Sequence, residues 1–234
     1  MVTDLLVTDS QTARQLDKAT SHCKGKPTDT FEWNGSEGLR PQDISQLVIS
    51  NAKITSIQSI ALKFRNIKEL NLSFNKIVDL TPVLYLPQLE LLDVSHNKIE
   101  SLEPLADLYR LTVLRAQYNL VSKLDPLARL SRLQSLFLAF NKVEWGQLIF
   151  LQCLRNLTAL VIQGNPCDDK HSNNVDFALG CASRLVNIDG VSYGDEARRS
   201  STSLMKSAAG RTMLTQARSQ LSSRERSLLN ENTT

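Results

Sequence analysis

The chain has 234 residues, a formal net charge of +3, a hydrophobic content of 41% and an aromatic content of 6%. This is enough apolar material for one large domain whose core must be aliphatic. Residues 195–234 hold seven basic and four acidic side chains, whereas residues 1–194 hold 20 of each sign. Because a body without net charge matches a phosphate backbone poorly, we do not expect direct binding to nucleic acid.

Targeting signals are not expected either. The first twenty residues contain Asp4 and Asp9 and no long apolar run, which argues against a secretory signal. No stretch approaches the ~18 apolar residues that a membrane span needs. The four cysteines form no CxxC pair, which is typical of a reducing compartment and predicts a cytoplasmic protein.

The N-terminal part, residues 1–43, is predicted to be a cap and loop. A short helix can begin at Asp9 or Ser10. The loop that follows contains Phe31 and Trp33, and these two rings are expected to cover the first unit of the region that comes next.

Four asparagines then recur at intervals of 22 residues: Asn75, Asn97, Asn119 and Asn141. Around each of them the chain repeats the pattern LxxLxLxxNxI. A weaker copy begins at Ile44, and another ends at Asn165. About six repeats therefore occupy residues 44–167.

The spacing within each repeat predicts its structure. Leu70 and Leu72 are two residues apart, as inward side chains of a strand must be. A strand this short cannot bury its face alone, so stacked repeats must share one core. The asparagine comes where the strand turns away, and its amide can satisfy backbone groups left unpaired there. We expect a structural asparagine ladder of Asn75, Asn97, Asn119, Asn141 and Asn165.

The second half of each repeat predicts a short helical turn. Leucines spaced by three residues suit 3₁₀ or helical turns with one inward face. Pro82, Pro104 and Pro126 recur with the same period and are expected at the first residue of these turns. The fifth repeat is longer and lacks the proline. Its Trp145 is expected either to cover the widened turn or to form a second contact site on the outer side.

This pattern resembles the 22-residue class of intracellular leucine-rich repeat proteins. The resemblance implies an α/β fold: a right-handed leucine-rich repeat solenoid with short parallel strands on the concave face and 3₁₀ or helical turns on the convex face. It also implies a C-terminal cap at residues 168–194. That cap would consist of a helix around Phe177 followed by a closing phrase from Leu185 to Gly190.

The residue before each ladder asparagine is Phe74, His96, Tyr118 or Phe140. Since equivalent residues on neighbouring strands lie ~5 Å apart, these rings should form one column on the concave face. Such rings are common in the family and can simply shield the turn. Phe137, however, lies on the open sheet face, where nothing within the repeat requires an aromatic residue. The predicted partner-binding residues are Phe74, Leu91, Asp93, His96, Val113, Arg115, Tyr118, Phe137 and Phe140.

The sequence offers no chemistry for catalysis. No histidine has the spacing to carboxylates or cysteines of a metal site, and no nucleotide-binding or nucleophile motif occurs. We therefore expect no enzyme, no metal and no cofactor. The C-terminal tail, residues 195–234, is basic and rich in Ser and Arg, and it is expected to be either helical or disordered. Its segment RRSS, residues 198–201, resembles a site for a basic-directed kinase.

The functional expectation is a scaffold that is monomeric alone and captures a partner protein on its concave face. The tail offers a second contact. Members of this class serve cilia and flagella, which implies a cytoskeletal or axonemal setting. Other members are a regulatory subunit of type-1 protein phosphatase and a spliceosomal ribonucleoprotein subunit, so a phosphatase regulator and a nuclear protein-binding scaffold stay open as alternatives.

Overall fold

The computed structural model describes residues 40–167 and 174–233. Except for residues 40–43, the predicted N-terminal cap lies outside the described residues, and so do residues 168–173. The described part contains one eight-stranded sheet whose strands follow chain order. The strands are β1 (Gln46–Val48), β2 (Glu69–Asn71), β3 (Leu91–Asp93), β4 (Val113–Arg115), β5 (Ser135–Phe137), β6 (Ala159–Val161), β7 (Asn187–Ile188) and β8 (Val191–Ser192).

Strands β1 to β7 are parallel, and equivalent residues of neighbouring repeats lie opposite each other. Leu70 of β2 lies opposite Leu92 of β3, and Leu114 of β4 lies opposite Leu136 of β5. The inward residue of every one of these strands is buried, because a three-residue strand has only one position that faces the core. The predicted solenoid of leucine-rich repeats is confirmed.

Each strand is followed by a return leg that carries the chain to the next strand. In repeat 1, the repeat that begins with β1, this leg is the helix α1 (Gln58–Lys63). In repeats 2 to 5 it is a 3₁₀ turn: Thr81–Tyr85, Glu103–Leu105, Asp125–Arg129 and Trp145–Cys153. The prolines take the second rather than the predicted first position of their turns, where their missing N–H is also not needed.

The asparagines tie each repeat to the one before it. Asn119 Oδ1 accepts the Ile99 N–H at 3.0 Å, and its Nδ2 donates to the Val94 carbonyl at 2.9 Å. The same exchange recurs at Asn75, Asn97, Asn141 and Asn165. One amide therefore provides a partner for a backbone N–H and for a carbonyl that the turn would otherwise leave buried and unpaired.

An aspartate caps the last parallel strands outside the asparagine ladder, since the pairing of β6 with β7 places it opposite Val161, four residues before Asn165. Asp189 Oδ1 accepts the N–H groups of Ile162 at 2.8 Å and Gln163 at 3.0 Å. Asp189 and Gly190 both have positive φ, 51° and 85°, as a two-residue type I′ hairpin requires. They join β7 to the antiparallel strand β8, which closes the sheet.

In the described part of the chain, α2 (Asn174–Cys181) lies between β6 and β7, and three more helices follow β8: α3 (Asp195–Lys206), α4 (Ala208–Ser219) and α5 (Ser223–Thr233). The predicted cap helix corresponds to α2. The tail is helical rather than disordered, and α4 and α5 pack against the return leg of repeat 5. Ala217 of α4 and Leu229 of α5 are buried in the common core.

Glycines permit the close packing of these helices. A Cβ at Gly180 of α2 would overlap the side chain of Met205 in α3. A Cβ at Gly210 would overlap the backbone of Leu204 and Met205 at the corner between α3 and α4. The tail is therefore a fitted layer of the domain.

One carboxylate fastens α5 to the repeats. Glu225 is buried and accepts hydrogen bonds from Lys123 Nζ and Gln147 Nε2, both at 2.8 Å. With Ser222 it also forms a capping box at the start of α5. Burial by itself would raise the pKa of Glu225, but the hydrogen bonds from Lys123, Ser222 and Gln147 together lower this pKa to about 2.

The structure decides between the two expectations for Trp145 and shows that one serine of the segment RRSS is inaccessible. Trp145 is buried with its ring 4.7 Å from that of Phe177, so it covers the widened turn of repeat 5 and forms no outer contact site. Ser201, the last residue of the segment RRSS, is 1% exposed and donates to Asp176 at 2.8 Å, whereas Ser200 of the same segment is exposed. A kinase cannot reach the Ser201 hydroxyl while α3 is packed on α2. Within the described residues, no helix has the length and apolar character needed to cross a bilayer.

The ladder predicts a graded loss of stability. Asn119→Ala leaves the Ile99 N–H buried without its partner, at roughly 1–3 kcal/mol, while the Val94 carbonyl keeps its hydrogen bond from Asn97 Nδ2 at 3.0 Å. Asn119→Asp keeps the acceptor for Ile99 but places a carboxylate oxygen where Nδ2 lies 2.9–3.2 Å from three carbonyl oxygens, so we expect a loss at least as large as that of Asn119→Ala. Urea denaturation measures both values, with Lys98→Ala as an exposed control. Equal free energies of unfolding for Asn119→Ala and wild type would contradict the proposed role of the ladder.

Glu225 predicts a pH-dependent contribution. Its folded pKa of about 2 lies below its usual value of 4.5, so its stabilisation is complete above pH 4.5 and is lost as pH falls to about 2. We expect Glu225→Gln to lower the free energy of unfolding by roughly 2–3 kcal/mol at neutral pH. The difference from wild type should vanish near pH 2. Glu196→Gln, at an exposed glutamate of α3, serves as the control.

Candidate protein-binding face

The four ring residues before the asparagines form one continuous stack. Ring centroids lie 4.0 Å apart between Phe74 and His96, 4.2 Å between His96 and Tyr118, and 4.5 Å between Tyr118 and Phe140. Neighbouring planes are 11–15° from parallel. The row that the repeat spacing predicts is therefore present, and we call it the ring stack.

The backbone of the ring stack is left-handed, which sequence reasoning missed. All four ring residues have φ between 54° and 57°, a region that costs a residue with a Cβ about 1–2 kcal/mol. Glycine and asparagine adopt this region most readily. The signal was available in the sequence, because Asn51 and Gly164 occupy the same position in repeats 1 and 6.

Repeats 1 and 6 also show that the turn forms without an aromatic ring. Asn51 has φ 53° and Gly164 has φ 71°, close to the values in the ring stack. Phe140 covers Gly164 so closely that a Cβ there would lie 2.6 Å from the ring. The fold thus requires a left-handed residue at this position, and it does not require a ring.

The ring stack is an exposed apolar surface. Phe74, Tyr118 and Phe140 each keep about half of their surface open to solvent. His96 lies between two rings, where burial lowers its pKa while the nearby Asp93 carboxylate acts in the opposite direction. A lowered pKa favours the neutral imidazole at pH 7, so the stack is uncharged along its length.

Beside the ring stack, the outward residues of the strands continue the apolar surface. Leu91 lies opposite Val113, and Arg115 lies opposite Phe137. All four are partly exposed. The Arg115 guanidinium sits 5.6 Å from the centre of the Phe137 ring, within the range of a cation–π contact. The ring stack together with these four residues forms the candidate binding face.

Asp93 is predicted from the sequence to be an accessible partner-binding residue on this face, but the structure shows it to be buried. Only 7% of its surface is exposed, and Oδ1 accepts from the Ser95 N–H at 3.0 Å and from Ser95 Oγ at 2.7 Å. Its other oxygen lies 3.9 Å from Arg115. Asp93 therefore fixes the start of the turn and orients Arg115, because its polar atoms already have partners.

The described residues offer no cluster of side chains suited to a metal ion. Burial raises the pKa of Cys153 to about 11 and that of Cys181 to about 12, so neither thiol is a reactive thiolate at neutral pH. The arrangement on the candidate binding face is suited to contact with another molecule rather than to proton or group transfer.

Comparisons with known proteins agree with the repeat architecture. A family model described as leucine-rich repeats matches residues 65–107 and, overlapping them, residues 87–129. A search of curated proteins gave no significant match.

Several solved structures are similar. An internalin (inlF) of Listeria monocytogenes is 28% identical with a TM-score of 0.54, and the alignment covers 63% of this chain and 41% of the internalin. Internalin C2 (inlC2) of the same species is 26% identical with a TM-score of 0.56, over 77% and 73% of the two chains. A chain of the Drosophila melanogaster SNF/U2A′ complex, 21% identical with a TM-score of 0.51 over 61% and 82%, shares the fold.

The left-handed backbone predicts that one ring can be replaced at little cost. Tyr118→Asn removes a stacked ring and places a residue that tolerates positive φ, so the two effects oppose each other. We expect the free energy of unfolding to change by less than about 1 kcal/mol, whereas Leu114→Ala in the core should cost roughly 2–5 kcal/mol. Thermal and urea denaturation of both variants test this. A loss at Tyr118→Asn as large as at Leu114→Ala would show that the rings belong to the core.

Proposed function

The chain is a leucine-rich repeat protein, and from this premise we propose that it is a non-catalytic scaffold that binds a partner protein on the candidate binding face. The proposal rests on one observation. Four successive repeats carry a ring, exposed at Phe74, Tyr118 and Phe140 and half-buried at His96, at a left-handed position where repeats 1 and 6 carry asparagine and glycine. The rings are not needed for the turn, and an exposed apolar row of this kind is typical of a contact surface.

The composition of the candidate binding face supports a protein as the partner. Aromatic residues and arginine are enriched among the interface residues whose truncation to alanine costs most binding free energy. Tyr118, Phe137 and Arg115 lie together at the middle of the six-repeat sheet. Binding of a nucleic acid backbone requires a basic groove. This face instead combines Arg115 with the acidic residues Glu69 and Asp93 on the neighbouring strands.

The dimensions of the candidate binding face favour a helix or a folded domain. Strands ~5 Å apart place the outer rings of the stack, Phe74 and Phe140, about 13–15 Å from each other. This length corresponds to about nine or ten residues of α-helix. Apolar side chains on one face of such a helix could contact the rings in succession.

The cellular setting that we propose first is a cytoskeletal or axonemal assembly, as the resemblance to the 22-residue class implies. A regulatory role on a Ser/Thr protein phosphatase and a protein-binding role in a spliceosomal ribonucleoprotein are the alternatives. The similarity to the SNF/U2A′ complex concerns the fold and does not favour the last of these.

Affinity purification of the full chain with quantitative mass spectrometry tests both the face and the setting. In the double variant Tyr118→Asn/Phe137→Ala, we expect the specific partner to fall at least tenfold, because truncating two central contacts typically costs about 1.4 kcal/mol or more. The identity of the lost protein, whether axonemal, a phosphatase catalytic subunit or ribonucleoprotein, decides between the settings.

The matched control is Tyr85→Asn. Tyr85 is 47% exposed and Tyr118 is 46% exposed, but Tyr85 lies in the return leg of repeat 2, away from the sheet. We expect its replacement to leave capture unchanged. If the double variant retained every partner, or if Tyr85→Asn lost the same protein, the proposed face would be wrong.

A further inference from the structure

A second exposed apolar surface lies on the outer side of the solenoid. It consists of Leu62 in α1, Leu84 and Tyr85 in the return leg of repeat 2, and Tyr109 after the turn of repeat 3. Each has between 43% and 56% of its surface exposed. We call these four residues the outer patch. They contribute nothing to the candidate binding face, since they belong to the opposite half of each repeat.

Repeat-equivalent residues show what is unusual about the outer patch. Leu84 of repeat 2 and Ala128 of repeat 4 occupy the same position two repeats apart, 44 residues along the chain. Leu84 is 47% exposed, whereas Ala128 is 4% exposed. Helix α5 packs against the return leg that contains Ala128. The tail therefore covers the outer side of repeats 4 and 5.

The cover provided by the tail ends at repeat 3. Arg224, at the start of α5, pairs with Glu103 of that repeat at 2.5 Å. Repeats 1 and 2 lie beyond this contact, and the described part of the tail does not extend over them. The solenoid thus covers one part of its outer side with its own helices and leaves a larger apolar side chain, Leu84, open in the other part.

The chain enters the described structure at repeat 1, the repeat that also carries Leu62 of the outer patch. Its 3₁₀ turn Pro41–Asp43 is tied to repeat 1, because Asn66 Nδ2 donates to the Gln42 carbonyl at 2.9 Å. Leu62, the first residue of the outer patch, is only four residues before Asn66. Thirty-nine residues precede Arg40. An extended chain spans ~3.3 Å per residue, so about ten of these 39 residues are enough to cross three repeats spaced ~5 Å apart.

The composition of residues 1–39 matches this surface. They contain apolar side chains that need a core, including Leu5, Leu6, Phe31 and Trp33. They also hold six acidic and four basic residues, and the exposed cations Lys63, Arg65 and Arg110 lie within three residues of the outer patch in the sequence, as does Asp107, which accepts a hydrogen bond from the Tyr109 hydroxyl. We propose that residues 1–39 dock on the outer patch, so that the N-terminal segment covers repeats 1 to 3 as the tail covers repeats 4 and 5.

Photo-cross-linking in the full chain tests the proposal. The probe p-benzoyl-phenylalanine replaces Tyr85, an exposed aromatic residue, so the fold should be retained, which a thermal melt verifies. We expect a cross-linked product with the mobility of a monomer, in which mass spectrometry identifies a peptide from residues 1–39. The same probe in place of Tyr118 is the matched control and should give at least tenfold less of this product.

Four outcomes would overturn the proposal. A product with the mobility of a dimer would assign the outer patch to a second copy of the chain. A product between position 85 and the tail, or the absence of any product, would exclude residues 1–39 as the segment that covers it. Equal yields of the N-terminal product from positions 85 and 118 would show contact without preference for the outer patch.

Discussion

The asparagine ladder is the constraint on which the rest of the structure depends. A chain that leaves a three-residue strand must bury backbone groups at the turn, and each ladder amide satisfies a donor of the preceding repeat and a carbonyl of the same or the preceding repeat. This exchange works only when the turn has one fixed geometry. The residue before each asparagine is therefore left-handed in every repeat, and that geometry aligns the four rings into a stack.

Much of this arrangement could be predicted from the sequence. The 22-residue interval between Asn75 and Asn97 fixes the register of the strands, and the alternation of Leu70 and Leu72 identifies the buried side. The left-handed backbone at Phe74 and Tyr118 could not be read from the rings themselves, because aromatic residues rarely adopt it. The burial of Asp93 could not be predicted either, because its hydrogen bonds with Ser95 depend on a turn that begins one residue after the strand.

The tail illustrates the limit of local patterns. Its composition is polar and basic, and the seven-residue spacing of Leu214, Leu221 and Leu228 indicates only a weak helical stripe. What orders it is tertiary: Glu225 reaches Lys123 and Gln147, residues about 80 to 100 positions earlier in the chain. Close packing at Gly180 and Gly210 adds to this. Contacts between such distant positions leave no periodic trace in a single sequence.

The aspartate at position 189 lies where the parallel strands stop. Asp189 Oδ1 receives the N–H groups of Ile162 and Gln163, which a further parallel strand would otherwise have to satisfy with its own carbonyls. The chain reverses at once into β8, an antiparallel strand of two residues. Such a short reversed edge offers little to a strand from another molecule, so the protein ends its sheet in a way that discourages end-to-end polymerisation.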